Sequence, residues 1–461
     1  MSRRARPRAV LAAVGAFGLM LLAAPHALAS GTPTTPTELF NSFLVCSNDA
    51  NAPTYVPETG SPQGVYIEGV PAPVGTTGSL AEQFRVWPVS DPTQTTSLID
   101  QTSIAGFDRG VTVPAGVLTD GQTYAWQAQT VEGTAVSDWS APCYFTLDNT
   151  APSQAPTISS ANYPEDQRDQ PGEPVDFTFD ANGVGDVEGF EFDWQSSLPV
   201  LGTNIGAYTI PQPVDPYDDP KHFVRANALG GSATVSLIPP YPAYGPVTLY
   251  VRSLDRAFHV SSTVSYGFVI NGAAPAIAPV KTPQFDKPAT FDLTPNAQLQ
   301  AKSPTVSYTV RTEGALHDQT IQVPAASDGT AEVELTLDGA NGEYLEVSST
   351  SANGWVSAPT SWKGSFDTTT TVTSEVYPEN TPGGGAGVPG AFTFTPKVKG
   401  VASYTYSFNG GDPVTVKAAD DDQPTTITWT PTSSGGNDLY VYATTKDGIK
   451  LADTWYFFNV N

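Results

Sequence analysis

The sequence predicts an all-β chain of four tandem β-sandwich domains behind a cleaved leader, and three observations carry that prediction. Its 461 residues include 42 prolines and 41 glycines. That leaves little room for long helices, because proline lacks a backbone N–H and glycine costs conformational entropy. Apolar residues recur at every second position in short runs bounded by Gly, Pro, Asn or Asp, the pattern of half-buried strands. A set of motifs from the middle of the chain also returns near its end. One core cannot be built from strands this short over such a length, so several domains of about 100 residues are expected.

At the N-terminus, Arg3, Arg4, Arg6 and Arg8 precede an apolar run from Ala9 to Ala24 and then Ala27-Leu28-Ala29. A small-x-small triplet after such a run is what signal peptidase reads, so residues 1–29 are expected to be a signal peptide and Ser30 the first mature residue. Arg6-Pro7-Arg8 stands where a twin-arginine signal continues with apolar residues, which favours the general secretory route. No cysteine lies at the cleavage point, so no lipoprotein anchor is expected. No later segment approaches eighteen consecutive apolar residues, so no membrane span is expected and the mature chain should be secreted in soluble form.

The chain carries a formal charge of −25, and cleavage would remove four arginines and no acid. Such a surface repels nucleic acid and anionic lipid, which argues against both as partners. The two cysteines, Cys46 and Cys143, lie near the two ends of the first domain. In an oxidising compartment they are expected to form a disulfide that acts as a staple.

Polar, proline-bearing joints divide the mature chain. They are Asp148-Asn149-Thr150-Ala151-Pro152 through Pro156, Gly272-Ala273-Ala274-Pro275 through Pro279, and Asp367 followed by Thr368 to Thr371. The expected domains are 35–148, 150–271, 275–367 and 368–461. Strands are expected at Phe177-Thr178-Phe179, Thr234 to Leu237, Thr248 to Arg252, Glu332 to Leu337, Tyr404 to Phe408 and Trp455 to Val460. The repetition is specific. Tyr163-Pro164-Glu165, Phe177-Thr178-Phe179, Leu249-Tyr250-Val251 and Tyr266 to Asn271 are mirrored by Tyr377-Pro378-Glu379, Phe392-Thr393-Phe394, Leu439-Tyr440-Val441 and Tyr456 to Asn459. Residues 198–225 form a Pro- and Asp-rich insertion in the earlier copy. Ser140-Ala141-Pro142 and Ser357-Ala358-Pro359 each lead into the last strand of a domain.

These motifs resemble the tandem fibronectin type III-like and bacterial immunoglobulin-like modules of secreted surface proteins. Leu118 to Trp126, followed by Ser137-Asp138-Trp139-Ser140 and the joint at Asp148, is similar to the closing half of a fibronectin-III-like repeat. The Tyr-Pro units resemble modules that often precede a jelly-roll domain, which is not visible in this sequence. The resemblance implies a fibronectin-III-like first domain followed by three immunoglobulin-like domains. At Leu254-Asp255-Arg256-Ala257 those families usually continue with Gly-Asn, whereas this chain has Phe258-His259.

Little in the sequence points to catalysis. The mature chain has three histidines, His222, His259 and His317, and no pair at metal-ligand spacing. No Gly-x-Ser-x-Gly elbow occurs. No catalytic residue, no metal site and no cofactor is therefore expected, apart from two aspartate groups with the chemistry to hold calcium. These are Asp215, Asp218 and Asp219 in the insertion, and Asp420, Asp421 and Asp422. Trp126 aligns with Val251, Val347 and Val441 and is expected in the core. Trp87, Trp139, Trp355 and Trp362 lie nearer strand ends, where they are candidates for a ligand surface. The resulting expectation is a secreted, non-enzymatic multidomain protein that presents or spaces binding surfaces for an extracellular protein or polysaccharide. Two alternatives stand beside it. A carbohydrate-binding protein would show a strip of exposed Trp and Tyr on one domain, and a cryptic hydrolase would show two convergent carboxylates in a cleft lined by the insertion.

Overall fold

The computed structural model describes residues 32–42, 44–72, 80–199 and 215–461. The expected leader and residues 200–214 of the insertion lie outside them. Among the described residues no helix is long and apolar enough to cross a membrane. The first sandwich forms one compact unit, and the second, third and fourth together form another.

All four sandwiches share one topology of seven principal strands. In the first they are Thr34–Asn41, Gly64–Ala72, Leu80–Pro88, Thr96–Ser103, Arg109–Pro114, Thr123–Glu132 and Cys143–Leu147. The first, second and fifth strands pair in one sheet, and the seventh, sixth, third and fourth pair in the other. The same order recurs in the second sandwich from Thr157–Ser160 to Val264–Ile270, in the third from Ala276–Pro279 to Thr360–Gly364, and in the fourth from Thr370–Thr373 to Thr454–Val460. The fourth strand joins the third and not the opposite sheet, which distinguishes this fibronectin-III-like order from that of a constant immunoglobulin domain.

The repeated motifs have a shared physical function. The Tyr266 hydroxyl donates to the Tyr163 carbonyl at 2.9 Å, and the Tyr456 hydroxyl donates to the Tyr377 carbonyl at 2.9 Å. The Tyr163 hydroxyl in turn bonds the carbonyls of Gln170 and Glu173, and that of Tyr377 the carbonyls of Gly385 and Val388. Each tyrosine thus buries its ring while its hydroxyl satisfies irregular backbone, which would be costly to leave unpaired. The serine before the last strand also recurs in function. Ser140 Oγ accepts from the Ala128 amide, Ser261 Oγ from Ser253 and Ser357 Oγ from Ser349, at 2.8–3.0 Å.

In the first sandwich, Trp126 is fully buried and donates from Nε1 to Asn41 Oδ1 at 2.6 Å, linking the two sheets. The expected disulfide is present. Cys46 and Cys143 are 97 residues apart in sequence and 5.4 Å apart between Cα atoms. In the chain-entropy account, closing such a loop stabilises the fold by roughly 4 to 5 kcal/mol.

One core position in this sandwich is not apolar. Leu80, Glu82, Phe84 and Val86 alternate inward along one strand, so Glu82 stands in the core phase with no exposure, and neither carboxyl oxygen has a partner among the described residues. Its Oε1 lies 2.8 Å from the point a Cβ would occupy on Gly69, so only a residue without a side chain leaves room for it. Burial, then the nearby Asp100 and Asp108, push its pKa up to about 9.

The second and third sandwiches share a core. Trp355, placed by sequence among the candidate ligand aromatics, is fully buried and packs within the core of the second sandwich together with Leu299. It is therefore withdrawn from any ligand surface: the turn that carries it, next to a strand end as expected, is covered by the neighbouring domain. Leu299 sits on the short helix Ala297–Lys302, capped by Asn296 Oδ1. Gly172, at φ +111°, lies against Leu299 and is bonded through its carbonyl by Asn353 Nδ2 at 2.9 Å. Between the third and fourth sandwiches, Thr368 Oγ1 donates to the Ala340 carbonyl and accepts from the Ala452 amide, while Phe285 of the third packs against the core of the fourth.

Two outcomes follow from this packing. The folded chain holds the Glu82 proton up to about pH 9, whereas an unfolded chain releases it near the ordinary value of 4.5. Stability should therefore fall as pH rises through that window, by an amount on the order of a few kcal/mol. Glu82→Gln should flatten that dependence in calorimetric scans of the full chain at pH 5, 7 and 8.5. Trp355→Ala should cost roughly 3 to 5 kcal/mol and make the second and third sandwiches melt at separate temperatures in the same scans.

Candidate functional site

The fourth sandwich exposes aromatic side chains on the outer face of its larger sheet. In the last strand, Thr454–Val460, Tyr456, Phe458 and Val460 point inward, so Trp455 and Phe457 must point outward. Trp455 is 54% exposed and Phe457 51% exposed. Of the eight tryptophans, Trp455 alone is exposed, the others being buried or half-buried. On the neighbouring strand Gly435–Thr445, Leu439 and Val441 are buried and Tyr440 and Tyr442 turn to the same outer face.

The rings form a contiguous patch. Those of Trp455 and Phe457 are 6.2 Å apart and within 9° of parallel. Tyr440 lies 5.0 Å from Trp455, turned by 52°, and Tyr442 lies 6.0 Å from Tyr440. Beside them Thr405 and Thr415 share a hydroxyl hydrogen bond of 2.9 Å on the adjoining strands. Among the charged groups that border the patch, Lys450 and Asp453 neutralise each other, and Asp438 stands opposite Phe457 on the same face. Lys450 Nζ is 3.0 Å from Asp453 Oδ1 and sits over the Tyr442 ring at 4.3 Å. The Tyr440 hydroxyl donates to Asp453 Oδ1 at 2.7 Å. The bond to this carboxylate raises the pKa of both Tyr440 and Lys450.

The other sandwiches show that the fold does not require these rings. In the second, Leu249 pairs with Tyr266 as Leu439 pairs with Tyr456 in the fourth. From that shared register, Ser265 and Gly267 occupy the positions of Trp455 and Phe457. In the third sandwich, Lys363 and Ser361 face outward on either side of Trp362.

The remaining candidates from the sequence fall elsewhere. In the first sandwich the Arg85 guanidinium lies 4.4 Å from the Trp139 ring centre and 5.6 Å from that of Trp87. Both tryptophans are half-buried and engaged with one cation. Trp362 packs edge-on against Phe291 at 5.0 Å in the third core. The aspartates at 218–219 and at 420–422 lie in different sandwiches. Asp218 is exposed at the end of a 3-10 turn, and Asp219 bonds His222 Nδ1 at 2.7 Å. Asp422 Oδ1 accepts from the Gly400 and Val401 amides, and Asp420 is nearly fully exposed, 3.8 Å from Lys417. Asp420–Asp422 form another 3-10 turn, which holds Asp421, and Asp215 is exposed. Near the insertion, Glu191 is held by Arg252 at 2.5 Å, and His222 also reaches Asp193 at 3.4 Å.

The four residues of the aromatic patch were not singled out from sequence. The available signal was Trp455-Tyr456-Phe457-Phe458, a strand with aromatic residues in both phases, beside Tyr440 and Tyr442 alternating with Leu439 and Val441.

No protein-family model matches this chain, and no curated protein matches it. Among solved structures it is similar to the chicken CNTN1 FN1–FN3 domains, at 12% identity over 66% of this chain and 99% of that one, with a TM-score of 0.24. It is also similar to the fibronectin(III)-like modules of Clostridium thermocellum CbhA, at 12% identity over 40% of this chain and 94% of that one, with a TM-score of 0.17. The tandem fibronectin-III-like architecture rests on the strand order shared by its four sandwiches.

Because Trp455 is exposed and Ser265 fills its place in the second sandwich, Trp455→Ser should change the stability of the fourth sandwich by less than about 1 kcal/mol. Thermal unfolding of the two chains, compared by circular dichroism, checks this.

Proposed function

We propose that the chain is a secreted, non-enzymatic multidomain protein that presents a binding surface outside the cell, and that this surface is the aromatic face of the fourth sandwich. The single observation supporting this reading is that Trp455, Phe457, Tyr440 and Tyr442 together leave apolar rings in water on one sheet face. Exposing them forgoes the free energy of burial, and the serine and glycine of the second sandwich fold without such exposure. Tryptophan and tyrosine are the residues that contribute most at binding surfaces, since a rigid ring gives large contact area at small entropic cost. The other three sandwiches space that face and hold it. The disulfide, the leader-like N-terminus and the acidic coat support an extracellular setting.

The reading is tested by retention of the full chain on a panel of insoluble polysaccharides and of immobilised extracellular matrix proteins. Retention on at least one member should be lost in Trp455→Ser and kept in Trp139→Ala. Retention that survives Trp455→Ser, or none on any member, would remove the aromatic face as the binding surface.

A further inference from the structure

We infer that the ligand of this face is a single extended chain of a neutral polysaccharide. The inference rests on the preceding reading of the face as a binding surface, and three properties of the patch carry it further.

The first is charge. The chain as a whole carries −25, so a polyanionic ligand meets long-range repulsion, and so does a second copy of the chain. At the patch itself Lys450 is neutralised by Asp453 at 3.0 Å, and Asp438, in register with Phe457 on the same face, adds an acidic group that further disfavours an anionic ligand. A neutral ligand carries neither cost.

The second is the chemistry of the surface. Apolar rings alternate with hydroxyls. Tyr440 lies beside Trp455 and Tyr442 beside Tyr440, and the Thr405–Thr415 hydroxyl pair lies on the adjoining strands, with Thr405 in register with Tyr442. A pyranose has the complementary pattern. Its C–H face stacks on an aromatic ring and its rim of hydroxyls exchanges hydrogen bonds with neighbouring polar groups.

The third is shape. Trp455 and Phe457 are parallel within 9°, but Tyr440 is turned by 52° from Trp455 and Tyr442 by 62° from Tyr440. Rings tilted in succession do not make the level platform that the flat surface of a crystalline polymer needs. They follow one chain whose successive sugar rings turn relative to each other.

Affinity electrophoresis of the full chain in native gels tests this, with a soluble neutral β-glucan or a soluble neutral xylan as one set of probes and alginate as the polyanionic probe. Microcrystalline cellulose, in a parallel sedimentation assay, is the flat-surface probe. The expected result is retardation by a neutral soluble chain, at least about tenfold weaker in Trp455→Ser and in Phe457→Ser, with no retardation by alginate and no binding to crystalline cellulose. Retardation by alginate, or sedimentation with cellulose in place of retardation, would overturn the assignment of a single neutral chain. So would equal retardation of both variants and the parent chain. If no glycan binds but a matrix protein is retained in a Trp455-dependent way, this inference fails and the aromatic face remains the binding surface. If no ligand of any class depends on Trp455, both fail together.

Discussion

Each sandwich is organised by one constraint, the two-residue alternation of a strand that has a covered side and an open side. Its clearest expression is on the sixth strand, where Trp126, Val251, Val347 and Val441 are all fully buried. Removing a tryptophan's 150–250 Å² of surface from water is worth on the order of 4 to 6 kcal/mol before the entropy of ordering it. That burial fixes the register, because a slip of one residue would turn every inward side chain to solvent. Once the inward phase is spent on the core, the outward phase is free. Tyr440 and Tyr442 stand in that free phase beside Leu439 and Val441, and Trp455 and Phe457 stand in it beside Tyr456 and Phe458.

The chain uses the free phase differently in each sandwich. In the first, Arg85 lies between Trp87 and Trp139 and bonds Gln127 Oε1, so that face is filled by its own side chains. In the second, Tyr217 lies against Gly189, with the Arg252–Glu191 pair alongside. In the third, Lys363 covers Tyr344. The fourth alone among the described sandwiches leaves an aromatic row open. Copies of one fold thus provide an internal comparison, separating what the sandwich needs from what this face adds.

The packing between sandwiches shows the same economy. Trp355 and Leu299 belong to the third sandwich by sequence and to the core of the second by contact. A proline-bearing joint limits the angles between neighbours, but it is this shared burial, with Asn353 bonded to Gly172, that fixes one arrangement of the two. Glu82 is the exception within a core. It occupies a position that alternation reserves for an apolar residue, and it keeps its proton there because burial strips water from the carboxylate and the nearby Asp100 and Asp108 oppose a further negative charge.

The sequence by itself determined the all-β class, the tandem repetition, the core phase of the sixth strands and the Cys46–Cys143 pair, because each depends on local periodicity or on the scarcity of partners. Alternation is a property of neighbouring residues, and two cysteines in one chain leave one pairing. Only the tertiary structure decided which aromatic residues reach solvent. Trp355 sits by a turn, where exposure was the local expectation, yet the adjoining sandwich encloses it. Trp455 sits within a strand that carries aromatic residues in both phases, so alternation alone did not say which of them faced out, and it lies on a sheet face that no other described element covers. Exposure is set by what packs against a residue from elsewhere in the chain, and that information is not local to any strand.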